Sequence, residues 1–295
     1  MATARVAKKK TSDARVSRRK RSSATVETKN TPDVKADKKP RAGTRNAKRN
    51  TSDTKAPLTL AFDIGGTGLK GSVLDPSGKM VADRVRIPTP HPCPPEVLLA
   101  SLKEIVSHLP SYDRISVGFP GVVRRGAVLT APHLGTEMWR GFPLENRIAE
   151  LFGKPTRLLN DAEVQGLGII TGHQLEVVIT LGTGVGSAIY SDGRLTPHLE
   201  LAHHPIKGDM TYDMYLGDAA KKKVGRKKWN KRVHRMIEIV SILTNFDTLH
   251  LGGGNAEHVS GPLPPNVRIA SNDAGITGGI RLWDDNVWLA AGSLD

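Results

Sequence analysis

Two glycine-rich turns, each placed between predicted strands, are the residues of this sequence best suited to hold phosphate. The first is Asp63-Ile64-Gly65-Gly66-Thr67-Gly68 and the second is Leu181-Gly182-Thr183-Gly184-Val185-Gly186. Glycine lets backbone N–H groups approach an anion with no Cβ in the way, and each threonine hydroxyl adds a donor. Neither turn is a P-loop, and the third glycine of the second comes too early for a dinucleotide fingerprint. We therefore predict two phosphate clamps, with an ordinary tight hairpin as the alternative for the first.

An Asn-Asp pair lies where a predicted buried strand, "RLLN", is followed by a predicted helix, "DAEVQG". At such a junction Asn160 and Asp161 would project into the crevice at the carboxyl ends of the strands, where α/β proteins bind ligands. We expect the helix amides to favour the ionised form of Asp161. A carboxylate there can accept the proton of a hydroxyl that attacks a phosphoryl group. The alternative is that Asp161 only caps the helix.

Further candidate contacts lie close to these motifs in sequence. Asp63, at the end of the first strand, can help hold a magnesium ion directly or through water. Glu200 and His203 can both point at sugar hydroxyls, with metal ligation or a solvent-exposed histidine pair as alternatives. The small residues after "TLHL" would let a base and ribose lie against the backbone. The predicted phosphate and nucleotide contacts are Asp63, Gly65, Gly66, Thr67, Lys70, Gly182, Thr183, Gly184, Gly253, Gly254 and Asn255.

The elements that position these motifs repeat along the chain. A strand, a glycine turn containing threonine and a second strand occur near residue 62 and again near residue 180, which predicts two related α/β halves facing each other. Apolar spacing predicts helices in "EVLLASLKEIVSHL", "DAEVQGLGII" and "WNKRVHRMIEIVSILTNF", and a closing helix in "GITGGIRLWDDNVWLAAG". We predict an amino-terminal lobe over residues 57–159 and a carboxyl-terminal lobe over 160–295, with the last helix packing back on the first lobe.

The composition indicates which broad class of protein this chain belongs to. With 295 residues, of which 38% are apolar, the chain can bury a substantial core. The single cysteine, Cys93, excludes an intrachain disulfide and a cysteine-built zinc site. No run approaches the roughly 18 apolar residues of a membrane helix, and the amino terminus lacks the apolar core of a secretory signal. We therefore expect a soluble cytoplasmic protein with no membrane partner.

Most of the net charge of +14 lies in the first 56 residues. They hold 18 Lys and Arg against 5 Asp and Glu, which leaves 25 against 24 for the remainder. Because this segment has few apolar side chains beyond scattered valines, it cannot offset chain entropy, and we predict a disordered basic tail over residues 1–56. A solvated tail that aids solubility, a polyanion-binding arm and a mitochondrial transit peptide are its three interpretations.

An ordered set of motifs over about residues 58–293 carries a family resemblance. The set "DIGGTGLKG", "GFPGVV", "LLNDAEVQGLG", "LGTGVGSAI", "ELAHH" and "GGGNA" resembles the repressor, open reading frame and kinase family of sugar kinases, particularly its polyphosphate glucokinase branch. The resemblance implies a two-lobed, actin-like (ribonuclease H-like) ATPase fold, a homodimer, and phosphoryl transfer to the 6-hydroxyl of glucose or a related hexose. It implies that Asp161 is the catalytic base, that Asn160, Glu200 and His203 hold the sugar, and that the two glycine loops hold the phosphates.

The sequence departs from the family pattern at residues in or next to the motifs that hold the sugar in the family. Relatives often place an asparagine for the sugar where this chain has His133, which we include among the predicted sugar contacts. Ala202 replaces the usual glycine before His203, and His204-Pro205 replaces the Leu-Glu that often follows. Many relatives bind structural zinc through a cysteine-rich loop that this chain lacks. We therefore expect Mg²⁺ as cofactor and no structural zinc.

A dense basic run, "KKKVGRKKWNKR", leads into the long predicted helix. A long phosphate chain carries repeated negative charges, as a nucleic-acid backbone does, and is bound by Lys and Arg side chains. We therefore interpret the run as a path for inorganic polyphosphate, which would be the donor with or without ATP. The alternative is a solvated helix face. The residues predicted to line the path are Lys222, Lys223, Arg226, Lys227 and Lys228.

Two other functions share this sequence pattern. The first is a sugar-responsive transcriptional regulator, because regulators share the fold. Regulators of this kind place a helix-turn-helix before the kinase-like body, whereas residues 1–56 lack the apolar periodicity of a packed helix, so we expect no sequence-specific nucleic-acid partner. The second is a non-catalytic sugar-binding protein, which the retention of Asp161 and both glycine loops disfavours.

Overall fold

The structure is a computed structural model that describes residues 56–271 and 274–287. All but one residue of the predicted basic tail, and the last residues of the predicted closing helix, lie outside this range. Among the described residues, no helix has both the length and the apolar character needed to cross a membrane.

The amino-terminal part is built on a five-stranded sheet whose first two strands form a hairpin. Its strands are β1 (Thr59–Ile64), β2 (Gly68–Leu74), β3 (Val85–Pro88), β4 (Arg114–Phe119) and, after a short hairpin of β5 (Val123–Arg124) and β6 (Ala127–Val128), β7 (Thr156–Asn160). The strand order is β3-β2-β1-β4-β7. Strands β1 and β2 are antiparallel, whereas β4 and β7 run parallel to β1. The first glycine turn therefore connects β1 to β2 at the edge where β4 and β7 also end.

The carboxyl-terminal part repeats this sheet. Its strands are β8 (Leu175–Leu181), β9 (Val185–Ser191), β10 (Arg194–Leu195), β13 (Thr248–Gly252) and β14 (Val267–Ile269), and a separate hairpin pairs β11 (Pro205–Lys207) with β12 (Met210–Thr211). The order is β10-β9-β8-β13-β14, with β8 and β9 antiparallel and β13 and β14 parallel to β8. The same order and the same strand directions in both sheets confirm the predicted pair of related α/β halves.

Helices cover the sheets with apolar stripes. They are α1 (Pro95–Val106), α2 (Thr136–Trp139), α3 (Leu144–Phe152), α4 (Asp161–Leu167), α5 (Tyr212–Leu216), α6 (Asp218–Val224), α7 (Arg226–Thr244) and α8 (Ala274–Thr277), with 3₁₀ turns at Ala256–His258 and Gly278–Trp283. Leu98, Leu102 and Ile105 recur at helical spacing on α1 and are buried in the core of the first sheet. Trp229 and Val233 of α7 belong to the core of the second sheet.

The prediction of one regular closing helix is wrong. Residues 274–283 form the short α8 and then a 3₁₀ turn, because Gly278 and Gly279 lie where the backbone is closely packed; a Cβ at Gly278 would lie 2.0 Å from the carbonyl oxygen of Val164. The segment crosses to the first sheet, where Ser116 Oγ donates to the carbonyl of Gly279 at 2.6 Å. Trp283 Nε1 donates to the same hydroxyl at 2.9 Å. The lobe boundaries stay a prediction.

A buried carboxylate anchors the loop before the second sheet. Glu176 on β8 is 1% exposed, and its side chain accepts hydrogen bonds from the backbone N–H groups of Thr171, Gly172 and His173. The ring of His250 on the neighbouring β13 lies 2.9 Å from the same carboxylate. Burial alone would raise the pKa of Glu176, but these hydrogen bonds hold it below its ordinary value.

We predict that Glu176→Gln lowers the free energy of unfolding by about 2–4 kcal/mol at pH 7, because an amide cannot accept all the bonds that the carboxylate accepts. A carboxyl with a lowered pKa stabilises the fold above its ordinary pKa and loses that contribution as the pH falls through the lowered value. The difference between variant and wild type should therefore shrink below about pH 4. Denaturant unfolding at pH 7 and at pH 3.5 measures both quantities.

The exposed Glu104 of α1 supplies the matched control. Glu104→Gln should change the free energy of unfolding by less than about 0.5 kcal/mol at either pH. Equal losses in the two variants would contradict the anchoring role of Glu176.

Candidate active site

The two glycine turns face a common cleft with a volume of about 420 Å³. Most of the sequence-predicted site residues line it. They are Asp63, Gly65, Gly66, Thr67, Lys70, His133, Asn160, Asp161, Gly182, Thr183, Gly184, Glu200, His203, Gly253 and Gly254. The cleft does not include Asn255 or the basic-path residues Lys222, Lys223, Arg226, Lys227 and Lys228.

The junction between β7 and α4 is fixed by a capping box. The side chain of Asn160 accepts from the N–H of Ala162 at 2.9 Å, and the carboxylate of Glu163 accepts from the N–H of Asn160 at 3.1 Å. The amide nitrogen of Asn160 donates to the carbonyl of Gly121 at 3.0 Å. This side chain thus holds the start of the helix in place, and its predicted contact with a sugar stays a prediction.

Asp161 is the first residue of α4 and faces the cleft. Its carboxylate accepts from the N–H of Ala162 at 2.8 Å, which favours the ionised form as expected from the sequence. Burial and the like charge of Asp63 outweigh that bond, however, and raise the pKa of Asp161 to about 7. The helix N–H thus acts in the predicted direction, but the net rise in the pKa was not foreseen from the sequence. The result is a carboxyl whose affinity for a proton suits general-base chemistry near neutral pH.

The first glycine turn is held by side chains from the neighbouring loop. Thr89 Oγ1 donates to the carbonyl of Gly65 at 2.6 Å, and the ring of His91 contacts the carbonyl of Gly66 at 3.0 Å. His133 packs directly on this turn, because a Cβ added at Gly66 would lie 2.9 Å from the Cβ of His133. The turn therefore requires glycine at residue 66, and Gly65, Gly66 and Thr67 line the cleft.

The second glycine turn is supported from behind. The side-chain nitrogen of Asn255 donates to the carbonyl of Gly182 at 3.1 Å, and the N–H of Asp218, at the start of α6, donates to the same oxygen at 3.0 Å. Lys221 in turn donates to the side-chain oxygen of Asn255. Asn255 is 4% exposed, so it braces the turn and does not face the cleft. Its predicted contact with a nucleotide stays a prediction.

Asp213 is a site residue that the sequence did not reveal. It lies on α5 and accepts from the N–H of Val185, in the second glycine turn, at 2.7 Å. Burial is the main cause of a raised pKa of Asp213. No spacing pattern links Asp213 to the turn, because the contact joins residues 28 apart in sequence.

His198 was also missed from the sequence, and it lies between two carboxylates. Its Nδ1 is 2.7 Å from Oε1 of Glu163, and its Nε2 is 3.5 Å from Oε2 of Glu200. Burial alone would lower the pKa of His198, but the two carboxylates raise it to about 9. The imidazole therefore carries a positive charge at neutral pH. The only sequence signal was its position two residues before Glu200.

Two carboxylates facing the cleft, those of Asp63 and Asp161, are suited to a hard cation. Asp63 is a cause of the raised pKa of Asp161, so a cation near them would relieve this repulsion. Mg²⁺ is held by one or two carboxylates together with water and substrate phosphates. Asp63 already pairs with Lys70 at 2.7 Å. In the part of the chain that the structure describes, no group of three or more metal-ligating side chains is arranged around one point. These residues fit an ion held largely through water and phosphate.

Comparison with known proteins identifies the family of the chain. The ROK family model matches residues 59–201. The chain is 31% identical over 232 residues to a polyphosphate glucokinase of Mycobacterium tuberculosis strain H37Rv, covering 73% of this chain and 87% of the relative. The inorganic polyphosphate/ATP-glucomannokinase of Arthrobacter sp. strain KM matches with a TM-score of 0.69 and 28% identity, over 76% of this chain and 97% of that one.

A ROK family glucokinase of Streptomyces griseus, solved in complex with glucose and AMPPNP, shares the fold with a TM-score of 0.65 at 19% identity, over 76% of this chain and 98% of that one. These matches and the repeated sheet confirm the predicted two-lobed, actin-like α/β fold. The family match, together with a relative of this identity and coverage, shows that the chain belongs to the ROK family.

Proposed function

We propose that this chain is a hexose kinase that transfers a phosphoryl group from polyphosphate or ATP to the 6-hydroxyl of glucose or a related hexose. The observation that carries the proposal is the position of Asp161 in one cleft with both glycine turns, Glu200 and His203. Relatives named as polyphosphate glucokinase and as polyphosphate/ATP-glucomannokinase support it. A cytoplasmic location, a homodimer and the absence of a nucleic-acid partner stay predictions.

Asp161 acts as the general base in this proposal. A carboxyl with a pKa of about 7 is partly ionised at neutral pH and still binds a proton well enough to take it from a hydroxyl under attack on a phosphoryl group. Glu200 and His203, with Asn160 and His133, would hold the sugar so that the 6-hydroxyl reaches this carboxylate. Glu200 has a pKa below its ordinary value despite burial, because His198 and the N–H of Ala202 stabilise its charge. Glu200 therefore presents a charged acceptor to sugar hydroxyls.

The donor would bind between the two glycine turns. The N–H of Gly65 already donates to the carbonyl of Gly68. Backbone amides of Gly66 and Thr67 on one side, and of Thr183 and Gly184 on the other, could surround the oxygens of the transferred phosphoryl group. Mg²⁺ held near Asp63 would supply charge neutralisation of the phosphates. Lys70 pairs with Asp63 and places a second positive charge beside the same part of the cleft. Asp213, which also lines the cleft, and the buried Asn255 would keep the second turn in shape.

Polyphosphate as donor is supported by the location of the basic run. The first residue of α6, Asp218, is bonded to the carbonyl of Gly182. The run thus starts about one helical turn from the second glycine turn, at a rise of about 1.5 Å per residue. The five path residues are all exposed. A phosphate chain leaving the cleft would find consecutive cations there, whereas Lys221 is engaged with Asn255 and Asp218.

Asp161→Asn should lower kcat by about 10²- to 10⁴-fold, because an amide keeps the size of the side chain but accepts no proton. Hexose affinity, measured by calorimetry, should change by less than about threefold, since the proposed sugar contacts remain. The exposed Asp209 provides the control Asp209→Asn, which should keep wild-type kcat. An Asp161→Asn variant with kcat within tenfold of wild type would remove the general-base assignment.

The raised pKa of Asp161 has its own test. In protein free of metal and donor, the carboxyl should take up its proton near pH 7, because it is buried and repelled by Asp63. Potentiometric titration of wild type minus Asp161→Asn should show this single proton as a difference curve with a midpoint near pH 7. A midpoint below pH 5 would show that the helix amides dominate after all.

Replacing Lys222, Lys227 and Lys228 together by glutamine should lower kcat/KM for long-chain polyphosphate by about tenfold or more, and should flatten its salt dependence. The kcat/KM for ATP should stay within about threefold, because ATP does not extend beyond the cleft. Initial rates with each donor at two ionic strengths measure both effects.

A second triple variant removes the same charge elsewhere, by replacing Lys79, Lys103 and Lys154 with glutamine. It should leave the polyphosphate rate within about threefold of wild type. Equal losses in both triple variants would assign the effect to overall charge, and turnover with ATP but none with polyphosphate in wild type would remove polyphosphate as donor.

A further inference from the structure

His198 lies in the cleft at a position that none of the sequence motifs includes. Its side chain is 15% exposed and lies in the wall of the cleft. On one side Nδ1 contacts Glu163, whose carboxylate also caps the start of α4 through the N–H of Asn160. On the other side Nε2 faces Glu200 at 3.5 Å. One imidazole thus connects the helix that carries Asp161 to the carboxylate proposed to bind the sugar.

Of the two contacts of His198, the one with Glu200 is not a hydrogen bond. Among the described residues, Nε2 of His198 is buried and has no partner within hydrogen-bond geometry. A buried N–H without an acceptor costs free energy, so a small movement of Glu200 toward the ring would be favourable. The Nδ1 end is already fixed by the 2.7 Å contact with Glu163. The ring is therefore held at Nδ1, and its unbonded Nε2 lies 3.5 Å from Oε2 of Glu200.

Glu200 is restrained from a second direction. Its Oε1 accepts from the N–H of Ala202 at 3.0 Å, while Oε2 is the atom that faces His198. One oxygen of Glu200 is thus held by a hydrogen bond and the other lies beside the positive charge of the ring, which favours one orientation and leaves lone pairs for a ligand. An ionised carboxylate carries no proton, so it can only accept hydrogen bonds. The ligand group that Glu200 recognises must therefore be a donor, such as a sugar hydroxyl.

We propose that His198 is a positioning residue that, as an imidazolium held by Glu163, keeps Glu200 ionised and oriented to accept a hydrogen bond from the hexose. The proposal rests on the proposed function of the same cleft. In this proposal His198 contacts neither the sugar nor the phosphoryl donor. Its raised pKa agrees with the geometry, because two carboxylates surround the ring. The other titratable groups that face Glu200 are Asp161, His203 and Asp213, and of these only His203 can add positive charge.

His198→Leu should raise the KM for hexose by about tenfold or more, the loss expected for a charge-assisted hydrogen bond, while kcat and the KM for the donor change by less than about threefold. His198→Gln restores a neutral donor and should recover part of the hexose affinity. Calorimetric hexose binding without donor should show the same order of affinity, so the test does not depend on turnover. His108→Leu, at an exposed residue of the first lobe, is the control and should match wild type.

The pH dependence separates positioning from packing. In wild type the lowered pKa of Glu200 keeps it ionised, so the hexose affinity should be flat from pH 8 to pH 6. Without the imidazolium the pKa of this partly buried carboxyl rises, and in His198→Leu the affinity should begin to fall at a higher pH than in wild type as the pH is lowered. Unfolding midpoints of each variant establish that it is folded.

Unchanged hexose affinity in a folded His198→Leu variant, or a fall in kcat alone, would overturn the proposal. If wild type binds hexose but transfers no phosphoryl group from any donor, the proposed kinase function fails while the affinity differences still support the role of His198. If wild type binds no hexose, both ideas are overturned together.

Discussion

The close packing of α4 between the two sheets is the constraint on which the rest of the cleft depends. A Cβ added at Gly118, on β4 of the first sheet, would lie 3.3 Å from the Cα of Asp161. One added at Gly186, on β9 of the second sheet, would lie 2.7 Å from the Cβ of Ala162. Tyr190 of β9 also donates to the backbone of Glu163. Close packing on both sides fixes the first turn of the helix, and with it the carboxyl of Asp161 in the cleft that both glycine turns line.

This packing places several acidic groups in one small volume, and the partners of each decide its chemistry. Asp63 is paired with Lys70, Glu200 faces the charged His198, and Asp213 accepts from the second glycine turn. Asp161 accepts from one backbone N–H and forms no ion pair with a described residue, so its pKa is raised. In the function proposed above, these different partners give the four carboxyl groups different roles: Asp63 beside the metal, Glu200 as acceptor for the sugar, Asp213 as a brace of the turn and Asp161 as proton acceptor.

Much of the fold was predictable because its signal is local. A strand, a glycine turn and a strand occur twice, and this repetition indicates two equivalent sheets with their turns at the same edge. The Asn-Asp junction was predictable for the same reason, since a buried strand followed by a capping pattern defines where a helix begins. Asp161 and both turns can therefore be recognised from the order of residues along the chain.

The contacts that were missed join residues far apart in sequence. His198 bonds to a residue 35 positions away, and Asp213 holds a turn 28 positions away. The rise in the pKa of Asp161 was missed because its burial and its proximity to the charge of Asp63 arise only when the sheets come together. The irregular closing segment follows from a close backbone contact at Gly278, which residue propensity alone does not show.

The most direct measurement is a crystal structure of the protein with a hexose, magnesium and a donor analogue that cannot transfer its phosphoryl group. The account predicts that a carboxylate oxygen of Asp161 lies about 2.6–3.2 Å from the hydroxyl that faces the terminal phosphate, which is itself surrounded by the two glycine turns. A hexose bound with all its hydroxyls beyond about 5 Å from that carboxylate, or a donor bound away from the turns, would contradict it.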